Sequence, residues 1–211
     1  MAEATQPDVH VQPAAEAEVT PPAPDPAILG IPAFTLGSIA LGLALVGYIP
    51  AAAVGGVLPI IFAATGLGVF VSAIWAMALR QTILVGIMGI FAGFWWSYAA
   101  LVLGLTHGWY AVPLTDVAHV QALFLISWAI IFFFLLVGTL RLPAIYTALL
   151  ALVVLAFVLL IIGTLSPSTT ATKVGGVVVL AFAVLGIYLF MHACDLALGR
   201  RGLPLGRPTI R

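Results

Sequence analysis

Charge is what this chain has least of. Only 7% of its 211 residues are Asp, Glu, Lys or Arg, against 64% hydrophobic, where a soluble domain carries roughly a quarter charged. Between Ile31 and Leu198 the formal charges are Arg80, Asp116, Arg141, Lys173 and Asp195. That shortage excludes an ordinary water-soluble fold. A single cysteine, Cys194, excludes an internal disulfide framework and an all-cysteine metal site. The formal net charge is zero and no basic block interleaves with aromatics, so nucleic acid is not an expected partner. The start of the chain lacks a positively charged n-region, and no apolar stretch follows until Ile31. A cleaved signal peptide is therefore not expected, and the first span should serve as its own insertion signal. No HExxH, GxSxG or phosphate-loop pattern occurs. The chain reads as a non-enzyme, with no cofactor and no metal expected. A haem shared by His119 and His192 would need both at one depth, and the span order puts them on opposite sides.

What is present is long apolar runs and a mean hydropathy of +1.26. A run of about 18 or more apolar residues crosses a bilayer as a helix, and backbone facing lipid must satisfy its own hydrogen bonds. Six such runs are predicted, near residues 31–49, 58–79, 82–105, 119–138, 143–163 and 174–198. They lack the strict alternation of barrel strands. The fold class expected is therefore an all-α integral membrane protein with six transmembrane helices per protomer and the lipid bilayer as its surroundings. Residues 1–27 are acidic and proline-rich, a composition that cannot bury enough apolar surface to order itself. They are predicted to be a disordered cytoplasmic tail, followed by a transmembrane domain over 28–199 and a basic C-terminal tail over 200–211. Orientation follows arginine and lysine in the short flanks. With both termini inside, the inner segments hold Arg80, Arg141, Arg200, Arg201, Arg207 and Arg211, and the outer ones only Lys173. The bias sets N-in and C-in.

Candidate functional residues are sparse. Gly37, Ser38 and Gly42, and then Gly86, Gly89 and Gly93, are small residues that let helices approach closely or line a path. The polar side chains within the spans are mild. Thr35, Ser38 and Ser97, with Thr82 at the start of the third span, are the candidates for polar pathway lining, alongside Thr65, Ser72, Gln121 and Ser127. His192 and Asp195 lie three apart near one end of the sixth span and are expected to pair. No Lys or Arg sits mid-span, so an anion would rely on hydroxyls and free N–H groups at helix N-termini. The stretch from Asp25 through Pro26, Ala27, Leu29 and Gly30 to Pro32 is a candidate pathway entrance, because two prolines and a glycine should delay the first helix.

That same stretch carries a resemblance. Residues 25–34, DPAILGIPAF, resemble the signature of the acetate uptake transporter family, the succinate–acetate permeases, which reads approximately N/D-P-A-P-L-G-L-x-x-F. Asp25, Pro26, Ala27, Leu29, Gly30 and Phe34 match, while Ile28 replaces a proline. Residues 80–97, RQTILVGIMGIFAGFWWS, are similar to the family segment GNTFGxxxFxSYGxFWLS through Thr82, Gly93, Phe94, Trp95 and Ser97. Here Arg80-Gln81 replaces Gly-Asn and Phe91 replaces a tyrosine. Gly138-Thr139-Leu140-Arg141 and Leu203-Pro204-Leu205-Gly206 look like two further family motifs, in the family's order. The resemblance implies a six-helix protomer, assembled as a hexamer. It also implies uptake of acetate, and in some members succinate or other small carboxylates, linked to protons. It implies a pathway narrowed by an apolar ring of Phe, Tyr and Leu, which falls on Phe34, Phe91 and Val153, the last on an ungapped alignment from Gly138. A ring of Phe, Phe and Val lacks the phenolic donor and should slow an anion more than a neutral acid.

Three readings are weighed. The first is a carboxylate transporter or channel of the inner or plasma membrane. The second is the same fold conducting ammonia or another small neutral solute. The third is a non-transporting membrane subunit that recruits partners through its tail.

Overall fold

The computed structural model describes residues 23–210; most of the expected N-terminal tail lies outside them. Six helices are each long and apolar enough to cross a membrane, and no strand occurs among the described residues. They are α1 (Ala27–Val46), α2 (Ala51–Ala78), α3 (Thr82–Thr106), α4 (Val117–Thr139), α5 (Ala144–Leu165) and α6 (Thr169–Ala197).

The first helix corrects an expectation. Its prolines do not delay it: α1 starts at Ala27, right after Pro26. Asp25 Oδ1 accepts the Ala27 N–H at 2.9 Å, which satisfies one of the orphan donors of the first turn. Pro32 lies inside the helix, where its missing N–H leaves one turn short of a hydrogen bond. The helix stops at Gly47, whose φ of 92° is left-handed. The Gly47 N–H donates to Ala44 O and the Tyr48 N–H to Leu43 O, a Schellman close.

Helix α2 starts earlier than hydropathy suggests and is irregular. It opens as a 3₁₀ segment, Ala51–Val57, continues as a π segment, Ile60–Gly66, and becomes α-helical from Leu67 to Ala78. The Phe62 carbonyl in the π segment accepts the Trp96 indole N–H at 3.1 Å. Helix α6 also starts earlier than expected, at Thr169, because Ser168 caps it by accepting the Ala171 N–H at 3.2 Å.

The helices pack as a ring. Helix α2 lies against α3 and α1, α1 against α6, α6 against α5, and α5 against α4. The α1–α6 seam is close because glycines line it: a Cβ on Gly176 would lie 2.9 Å from Val46 N, and one on Gly186 would overlap Thr35 Oγ1. Helices α3 and α4 follow one another in sequence but hardly touch along their backbones. Large rings fill the gap between them, with Phe94–Trp128 centroids 5.7 Å apart and Phe91–Phe132 at 4.8 Å.

One end of the bundle is strapped. Residues past α6 double back over the α4–α5 turn, where Ile145 N–H donates to Leu205 O, and Thr209 and Ile210 N–H both donate to Leu140 O. Tyr188 Oη donates to Pro204 O at 2.9 Å, and His192 Nδ1 lies 2.8 Å from Leu203 O. The expected partner of His192 was Asp195; the ring is committed to the strap instead. The LPLG motif is thus the part of the strap that these groups hold.

Candidate functional site

The gap between α3 and α4 is the wall of an internal cavity of about 210 Å³. Its lining comes from α1, α3, α4, α5 and α6. Leu45, Val102, Gln121, Thr164 and Thr172 line it near the ends of their helices. The cavity therefore reaches the end of the bundle that carries the α1–α2, α3–α4 and α5–α6 connections, opposite the strap.

Its floor lies midway along the helices. Phe34 and Phe91 have ring centroids 4.6 Å apart, Phe34 and Phe182 5.7 Å, and Phe132 and Phe157 5.3 Å. Val153 borders the same floor and is buried, as are all five phenylalanines. Phe34, Phe91 and Val153 come from α1, α3 and α5 and border one cavity. Each aromatic pair contributes roughly 0.5–1.5 kcal/mol beyond its buried area, so the floor is a cohesive cluster rather than three separate side chains. No Lys, Arg, His, Asp or Glu is among the lining residues.

The other sequence candidates lie elsewhere. Thr35, Ser38, Thr82 and Ser97 do not border the cavity. Thr35 Oγ1 donates to Ile31 O and Ser38 Oγ to Phe34 O, each at 2.8 Å, and Ser97 Oγ donates to Gly93 O at 2.7 Å. Those hydroxyls are spent on the carbonyl one turn back, the usual fate of Ser and Thr in an apolar helix. Thr82 is exposed at the start of α3. The motif residues Asp25, Pro26, Ala27, Leu29 and Gly30 also lie away from the cavity, at the strapped end of α1. There the Pro26 carbonyl accepts Ser72 Oγ–H at 2.8 Å, and a Cβ on Gly30 would sit 2.7 Å from Met88 Sδ. The motif packs α1 onto α2 and α3. Gly86 and Gly89 face open space within the protomer, while Gly93 meets Trp128.

Residue-type reasoning missed Phe132, Phe157, Phe182 and Tyr98 as lining, and Trp95 entered only as a motif match. The signal was available: Phe91, Trp95, Tyr98 and Val102 recur at helical spacing along one face of α3.

Five helices of a six-helix ring enclosing an apolar-floored cavity define a multi-pass membrane protein with an internal compartment. The chain belongs to the GPR1/FUN34/yaaH family, whose model matches residues 6–196. Among solved structures it is similar to the bacterial acetate channel SatP, with 23% identity and a TM-score of 0.77 over 87% of this chain and 99% of that one. Comparison with curated protein sequences finds no match.

Proposed function

We propose that this protein passes short monocarboxylic acids across a cell membrane, acetate among them, through the cavity and between Phe34, Phe91 and Val153. The observation that carries the reading is the meeting of those three side chains at the floor of a cavity that reaches one end of the bundle. The family and the likeness to an acetate channel support it.

The floor bears on the form that crosses. Moving a bare carboxylate into apolar surroundings costs at least several kcal/mol even after relaxation, and no cation lines the cavity to offset it. The protonated acid is neutral and avoids most of that penalty. The proton then travels on the substrate, so proton linkage needs no ionisable relay. Succinate, with two carboxyl groups to neutralise, should pass poorly. The protomers are proposed to be N-in and C-in within an inner or plasma membrane and to assemble as a homo-oligomer, a hexamer by resemblance. The open Gly86 and Gly89 face of α3 and the many exposed apolar side chains are consistent with helix contacts between copies.

The test is labelled-acetate uptake into proteoliposomes, with protein-free liposomes subtracted. Flux should rise as external pH falls, toward tenfold per unit while the acid is mostly ionised, and should ignore an imposed membrane potential. Val153→Phe should close the floor and abolish the protein-dependent part. Absence of protein-dependent flux for several short acids would remove the proposal, and flux that follows the potential would remove the neutral-acid form. The ammonia reading is separated by Phe91→Tyr, which restores a donor at the floor and should raise acetate flux. An unchanged rate would count against the ring at position 91 as the point of control.

A further inference from the structure

The cavity is apolar except for a few polar groups, and two of them stand one turn apart on α3. Trp95 is 1% exposed and borders the cavity, yet its indole N–H has no hydrogen-bond partner. Leaving such a donor dry and unpaired costs about 1–3 kcal/mol, so a fold that keeps it there implies an acceptor that arrives from outside the chain. Tyr98 lies one turn further along α3, borders the same cavity and has its ring 6.2 Å from that of Phe124. Gln121, one turn before Phe124 on α4, also borders it. The Tyr98 hydroxyl and the Gln121 amide take no part in the chain's side-chain hydrogen bonds among the described residues; the nearby Trp96, Ser97 and Tyr110 side chains, by contrast, all have backbone partners. Two donors on α3 thus border one space at neighbouring depths, with the α4 amide nearer the mouth. Trp95 and Tyr98 stand about 6–10 Å above Phe91, and Gln121 about 16 Å above Phe132, at 1.5 Å per residue.

We infer that Trp95 and Tyr98 form a carboxyl-binding rung that seats a monocarboxylic acid of four to six carbons with its alkyl tail on the phenylalanine floor. The inference rests on the transport reading and names the substrate class within it. A protonated carboxyl group needs an acceptor for its O–H and a donor for its carbonyl oxygen, and a phenol oxygen with an indole N–H supplies both. The resemblance leads one to expect a phenol at position 91, on the floor; here the phenol stands two turns higher on the same helix face. That shift opens apolar room beneath the carboxyl group. An apolar cavity of about 150 Å³ lined by Leu, Ile and Phe accepts benzene, and this one, at about 210 Å³, exceeds what the four heavy atoms of acetate fill.

The experiment is calorimetric titration of the purified full-length protein in nanodiscs with acetate, butanoate and hexanoate at mildly acidic pH, beside acetate uptake by the same preparations. Butanoate and hexanoate should bind roughly tenfold or more tightly than acetate, since each added buried CH₂ contributes about 0.8 kcal/mol. Tyr98→Phe, half-buried and near its parent in shape, should weaken butanoate binding about three- to tenfold. Trp95→Phe should do the same, and should remove any indole fluorescence shift that butanoate causes. If the wild type moves acetate but binds all three acids alike, or if Tyr98→Phe and Trp95→Phe leave butanoate affinity unchanged, the rung is refuted and transport stands. If the wild type neither binds nor moves any acid, the transport reading falls and takes the rung with it.

Discussion

At the scale of single residues, the glycines separate into those that packing requires and those it does not. A methyl group on Gly37 would run into Thr65, and one on Gly186 into Thr35, whereas Gly89 has nothing within 4 Å. Gly37→Ala and Gly186→Ala should each destabilise the protomer by about 1–3 kcal/mol, the usual range for overpacking; thermal unfolding in detergent would show it as a clear drop in Tm. Gly89→Ala should leave protomer stability unchanged; in the proposed homo-oligomer it would act only on contacts between copies, visible as a change in oligomer size. Thr65 offers the opposite case. Its Oγ1 is buried without a partner, so Thr65→Val removes an unsatisfied hydroxyl while keeping the branched shape, and should be neutral or stabilising by about 1 kcal/mol. A marked loss of Tm in Thr65→Val would mean that the hydroxyl has a partner after all. None of these distinctions was legible in the sequence. Gly37 and Gly89 look alike along the chain, and only the position of the neighbouring helix tells them apart.

At the scale of elements, the six spans were legible because a bilayer imposes length and apolarity directly, and charge is confined to the turns. Their ends were not. Pro26 and Pro32 signalled a late start for α1, but Asp25 supplies the acceptor that the first turn needs. The helix consequently includes the motif that was expected to open a pathway. The α2 start was hidden because 51–57 reads as a small-residue linker yet folds as 3₁₀. The strap was invisible for another reason: an apolar Leu203-Pro204-Leu205 segment carries no helical period, and what secures it is backbone hydrogen bonding to Leu140 and Ile145. Truncation after Arg201 should therefore expose those groups and the ends of Tyr188 and His192. It should lower Tm by several degrees, because each lost hydrogen bond is worth about 0.5–1.5 kcal/mol. The cavity lies at the other end, so butanoate affinity of the truncated protein should match the full chain. Lost affinity at an unchanged Tm would instead tie the strap to the cavity.

At the scale of the whole molecule, the arginine bias and the cavity can be joined. The strapped end carries Arg80, Arg141, Arg200, Arg201 and Arg207, and the cavity end carries Lys173. In the proposed N-in, C-in orientation, which the positive-inside rule favours, the cavity mouth would face outward, so acid outside the cell would meet a vestibule while acid inside would meet the packed Asp25–Gly30 end and the strap. Equilibrium flux cannot favour one direction on that account, but capture from dilute solution can differ between the two faces. Cysteine labelling decides the orientation. In a Cys194→Ala background, Ser166→Cys in the exposed α5–α6 connection should react with a membrane-impermeant maleimide in intact cells, and Thr209→Cys in the strap only after the membrane is opened. The reverse pattern would turn the vestibule toward the cytoplasm, where the same floor and rung would capture acids produced within the cell for export.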